Sequence, residues 1–175
     1  MQALATMKVL WASISFSTLV FLMVGLSVAQ APQQPPETLM LFAFAALSLG
    51  LIGASQLVPK QLLAAALKAQ RFEVVEPPAT ERMFDDSPRR GRKFAQPDQV
   101  RQKLIQCAQT PFILGLALSE AVAIMGLVLM MLGFQLTHTL GFFVVSWVLL
   151  LSKFPKLASF EHALEASYDA ELGRS

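Results

Sequence analysis

The chain has 175 residues, of which 54% are hydrophobic and 15% charged, with a mean hydropathy of +0.53 and a formal net charge of +2. Soluble domains carry about 25% charged residues, so this composition points to an integral membrane protein and leaves no room for a large soluble catalytic domain. The single cysteine, Cys107, excludes an intrachain disulfide and a cysteine-cluster metal site.

The first apolar run covers residues 9–28. Ala29-Gln30-Ala31 resembles the small-x-small site that follows a signal peptide. The run is longer than a signal core, however, and Pro32 would follow the cleaved bond, so an uncleaved transmembrane helix is expected. Trp11 would then sit at headgroup level. A proline-rich turn at residues 31–38 leads to the second run, residues 39–58. Within it Ala46, Gly50 and Ala54 recur every fourth residue, a small-xxx-small stripe that lets another helix backbone come close.

Pro59 fits the first turn of a new short helix along the membrane surface, over residues 60–72. Residues 73–96 hold three prolines, Asp85-Asp86 and the basic cluster Arg89-Arg90-Gly91-Arg92-Lys93. So few large apolar side chains cannot repay the cost of ordering, and a flexible centre is expected within a loop spanning residues 60–110. The basic cluster reads as a topology determinant, diluted by nearby acids, and no nucleic-acid partner is expected. Pro97-Asp98 starts a helix that carries Arg101, Lys103 and Cys107 into the third span, residues 111–133. The fourth span, at about residues 137–154, closes on Lys153-Phe154-Pro155-Lys156. Leu157, Phe160, Leu164, Tyr168 and Leu172 then form the apolar stripe of an amphipathic tail over residues 157–175. Its acidic face would be repelled by anionic lipid, so the tail is expected to pack on protein or face water.

Charge placement gives the topology. Of the 14 Lys and Arg residues, Lys8 precedes the first span, ten lie from Lys60 to Lys103, and Lys153, Lys156 and Arg174 follow the fourth. The other two connections have none, so the positive-inside rule places both termini and the long loop in the cytoplasm. The expectation is an all-α, four-span membrane protein of the lipid bilayer.

Glu120 stands near the middle of the third span, the only charge there. Insertion scales set the cost of such a carboxylate at about 2.5–3.5 kcal/mol, and removal from water favours the neutral acid. Gly115, Ser119, Gly126 and Gly133 share one helical face, within about 40° at 100° per residue. That face is expected to meet a neighbouring helix, while Glu120 points away from it, roughly 100–140° around. Ser48, Ser146 and backbone carbonyls are the expected hydrogen-bond acceptors. Three roles stay open: an exchangeable proton site, a pair with a residue of another protein, or a structural hydrogen bond.

Arg101-Gln102, followed by Gln109-Thr110 and PFILGLALSEAVAIMGLVL, resembles the second helix and preceding polar loop of the rotary ATP synthase c subunit. The resemblance covers residues 101–133. It implies that Glu120 is the proton-carrying carboxylate, that Arg101 and Gln102 match the loop motif, and that spans two and three form a c-like hairpin. Sodium-binding members carry a hydroxyl after the carboxylate, where this chain has Ala121, so the implied ion is a proton. The whole pattern also resembles a group of small four-helix bacterial inner-membrane proteins with a glutamate in span three and an FPK-like exit.

His138 and His162 fall on opposite sides, so no metal site is expected. There is no GxSxG, Walker or dinucleotide glycine motif, and nothing argues for an enzyme. The sequence therefore leads to a non-enzymatic subunit or accessory factor of a membrane assembly, partnered by other membrane subunits or by itself. The alternative is a small oligomeric proton-coupled transporter or channel. No cofactor is expected beyond a proton at Glu120.

Overall fold

The computed structural model describes residues 2–28, 38–70, 72, 74–75, 93–94, 96–168 and 170. Within them run five helices: α1 (Gln2–Val28), α2 (Thr38–Ala69), α3 (Pro97–Met131), α4 (Leu136–Ser152) and α5 (Leu157–Tyr168). A two-residue antiparallel ladder, β1 (Val74–Val75) against β2 (Lys93–Phe94), is the remaining element. It closes the ends of the connection expected to have a flexible centre; residues 76–92 lie outside the described residues.

Three helices, α1 to α3, are long and apolar enough to cross a membrane. Helices α4 and α5 meet at 67° and add a fourth candidate if taken as one bent span. The 17 residues of α4 reach about 25 Å at ~1.5 Å per residue, slightly under the ~30 Å hydrocarbon core.

Helix α3 is the axis. All four other helices pack on it, α1 also touches α4, and α2 touches α5. Side-chain contacts set the directions. Ser17 meets Glu120, and Gly25 faces Met130 and Leu127, so α1 runs parallel to α3. Pro59 faces Gly115, whereas Leu67 clusters with Leu104, so α2 runs antiparallel. Phe143 faces Gly126 and Lys153 reaches Gly115, so α4 is antiparallel as well. The start of α1 and the end of α4 consequently share one end of the bundle with the α2–α3 connection. Trp11 marks that end: its Nε1 donates to the Leu150 carbonyl at 2.7 Å and its ring stands edge-on to Phe154.

Two elements depart from the local signals. Helix α2 does not stop at Pro59 to begin a surface helix; it runs through the proline, with a total length of 32 residues. An interior proline costs about 3 kcal/mol, and here packing offsets it, because the ring lies on the bare backbone of Gly115. Gly133, expected on the packing face of span three, instead ends α3. Its φ of 89° and the bonds Phe134 N to Leu129 O and Gly133 N to Met130 O form a glycine C-terminal cap.

At ~1.5 Å per residue α2 and α3 are about 48 and 52 Å long, so both overhang a ~30 Å core. The overhangs meet in a small water-side core of Leu67, Phe94, Val100, Leu104, Leu164 and Ala170. Helix α5 completes it, and Tyr168 donates to the Leu67 carbonyl at 2.8 Å. The described part of the amphipathic tail, α5, thus packs on protein, while Leu172 lies outside the described residues.

Candidate functional site

Glu120 is half-buried between α3 and α1, turned away from the small-residue face of its own helix. Its partner is Ser17, whose Oγ is hydrogen-bonded to Glu120 Oε1 and lies 2.8 Å from the Ile14 carbonyl oxygen. One hydroxyl carries one proton, so Ser17 donates to only one of these oxygens at a time. Thr18 Oγ1 also donates to Ile14 O, at 3.2 Å. That carbonyl therefore keeps a side-chain donor whichever way Ser17 turns.

None of the expected partners serves. Ser146 donates to the Ser119 carbonyl at 2.8 Å, and Ser48 Oγ is buried with no partner among the described residues. Ser17 was nonetheless within reach of sequence counting. It lies eight residues past Val9 and Glu120 nine past Pro111, in two helices that enter from the same end.

The small-residue face of α3 meets α2 and α4. Gly115 lies against Pro59 and Lys153, Gly126 against Phe143 and Phe142, and Ser119 is fully buried. Lys153, read from sequence as a terminal cation, turns back into the bundle. Its Nζ donates to Gly115 O at 2.8 Å and to Ser119 Oγ at 2.7 Å, while Ser119 Oγ donates to Gly115 O at 2.9 Å. An ammonium thus stands one residue from the carboxyl along α3, although no ion pair joins Lys153 to Glu120 among the described residues. Its signal was the short fourth span, which ends before its lysine clears the bundle.

The equivalent stripe on α2 is largely open among the described residues. Ala46 and Gly50 are exposed, Ala54 is half-buried, and a Cβ at Gly50 would meet nothing within 4 Å. The buried positions of α2 are Ser48, Ser55 and Leu67. Within the chain α2 packs on α3 through the face carrying Ser48 and Ser55, and the stripe of Ala46, Gly50 and Ala54 lies off that face.

Arg101 and Gln102 lie in the second turn of α3 rather than in a loop. Arg101 Nε donates to Glu161 Oε1 at 2.9 Å, binding α5 to α3, and Gln102 is exposed. Nineteen residues of helix separate Arg101 from Glu120, about 28 Å at ~1.5 Å per residue. The structure does not bring them together. Nor does any group of three His, Cys, Asp or Glu among the described residues cluster to hold a metal.

Compared with protein-family models, with curated proteins and with solved structures, the chain matches none. The site's own geometry carries the functional argument.

Proposed function

We propose that the chain is a non-enzymatic subunit or accessory factor of a membrane assembly, in which Glu120 binds a proton at the α1–α3 contact. In this reading α4 is a fourth span, both termini and the α2–α3 connection are cytoplasmic, and the membrane is a bacterial inner membrane. The flanking cations support that orientation. The observation carrying the proposal is the shared proton of Ser17. When Glu120 is protonated, the acid donates to Ser17 Oγ and Ser17 donates to Ile14 O. When Glu120 is ionised, Ser17 turns to the carboxylate and Thr18 alone serves Ile14 O. Both states keep the α1–α3 link, so the proton can exchange without separating the helices.

The test is purification of the full chain in mild detergent, followed by native mass measurement and reaction with a hydrophobic carbodiimide. The expected result is co-purifying subunits or a defined homo-oligomer, with one adduct at Glu120. That adduct forms faster in acidic than in alkaline buffer and is absent from Glu120→Gln. A bare monomer would defeat the assembly. Equal labelling in both buffers would defeat the proton site.

A further inference from the structure

A second site lies at the headgroup end of the bundle. A pocket of about 260 Å³ opens where α2, α3 and the α4–α5 corner converge. Lys60, Lys153 and Lys156 line it, and no acidic residue does. Lys153 is committed to Gly115 O and Ser119 Oγ, yet its charge remains at the pocket wall. Lys60 and Lys156 are exposed and have no ion-pair partner among the described residues. The nearest acid in sequence, Glu161, is held by Arg101 at 2.9 Å. Three positive charges therefore converge without a counter-ion among the described residues.

Most of the remaining lining is apolar, with Leu63, Phe112, Phe154 and Phe160 prominent. Ser159 and Gln56 add hydrogen-bonding capacity. The depth is informative. Phe154, a wall of the pocket, also carries Trp11 edge-on at 5.1 Å, which sets the pocket at the level where indoles meet headgroups. Beside it, Leu57 and Leu151 expose 60% and 57% of their surface, leaving apolar tracks along α2 and α4. The volume holds a headgroup but not acyl chains, and those tracks lie where chains would run.

We infer that this pocket binds the phosphate of an anionic phospholipid, with Lys60 and Lys156 contacting the headgroup and the chains following α2 and α4. Basic pockets between membrane helices select anionic lipid by this arrangement. The lipid would bridge α2 to the α4–α5 corner, two parts otherwise joined through α3 and α5. It depends on neither Glu120 nor the assembly reading.

The experiment uses the full chain, delipidated in neutral detergent, with binding read by native mass spectrometry and by melting temperature. The probes are phosphatidylglycerol, phosphatidylcholine and inorganic phosphate. Phosphatidylglycerol should be retained and should raise the melting temperature, phosphatidylcholine much less. Lys60→Gln and Lys156→Gln, both exposed and tolerable, should each weaken phosphatidylglycerol on the order of fivefold. Lys103→Gln, exposed on α3 away from the pocket, should leave it unchanged. Equal retention of the two lipids, or equal loss in Lys103→Gln, would overturn the site. A melting shift reproduced by phosphate alone would overturn the lipid and assign the pocket to a soluble anion.

Discussion

The water-side end of α3 and its apolar middle hold their neighbours by different means. At the water-side end, Leu67, Val100, Leu104 and Leu164 bury large apolar side chains beneath α5, as in a small soluble domain. Across the apolar middle, Leu116, Leu129, Met130 and Phe143 are buried too, but close approaches at Gly25, Gly115 and Gly126 and hydrogen bonds from Ser17, Ser146 and Lys153 are added to them. Solvent explains the contrast. Burying a leucine gains about 1.5–3 kcal/mol against water, but lipid is as apolar as leucine, so helices there associate through packing and polar contacts. The same helix therefore adds small residues and polar contacts in its middle to the large side chains it buries at both levels.

The largest effect should come from the water-side core. Leu104 is fully buried, and Leu104→Ala should cost about 2–5 kcal/mol of local stability. Release of α5 would appear as new protease cleavage after Pro155. Ser146→Ala, which removes one mid-bundle bond, should cost only about 0.6 kcal/mol in denaturation from mixed micelles. Equal losses in the two variants would erase the contrast between end and middle.

The next test sets two glycines against each other. A Cβ at Gly126 would lie 2.9 Å from Phe143 Cε2 and 3.0 Å from Phe142 Cβ, the latter close to backbone. Gly126→Ala should force α4 outward and cost about 1–3 kcal/mol. Gly50→Ala meets open space, so it should be neutral or should stabilise α2 by up to about 1 kcal/mol. If Gly50→Ala instead destabilised a detergent-solubilised oligomer, the stripe of Ala46, Gly50 and Ala54 would be a contact between chains.

These glycines show how much was legible beforehand. Apolar run lengths give the long helices, because the hydrocarbon thickness imposes them. A helical wheel places Gly115, Ser119 and Gly126 on one face and turns Glu120 off it, because helical periodicity is local. It gives no sign that only one of two similar stripes is used. That outcome depends on which helices are neighbours, and α2 meets the bundle through α3 and α5. Pro59 failed as a stop signal for a related reason: its local cost is offset by a glycine 56 residues away. Lys153 was counted correctly as a charge, but its direction follows from the shortness of α4 and the Gly115 and Ser119 oxygens it finds.

The smallest effect bears most directly on Glu120. Its bond to Ser17 is one of the polar links that replace apolar burial in the mid-bundle, and such links average about 0.6 kcal/mol, with a maximum near 1.7. A double-mutant cycle of Ser17→Ala and Glu120→Gln, read by denaturation from mixed micelles, should return a coupling of that size. The glutamine is informative because its amide, like a neutral acid, donates to Ser17 Oγ and leaves Ser17 free to donate to Ile14 O. Glu120→Gln should therefore disturb stability less than Ser17→Ala in acidic buffer, where the acid it mimics is neutral. It should disturb stability more in alkaline buffer, where it removes a carboxylate that accepts from Ser17. A coupling of zero in both buffers would make the contact incidental. A coupling that did not change between them would leave a structural bond whose proton never moves.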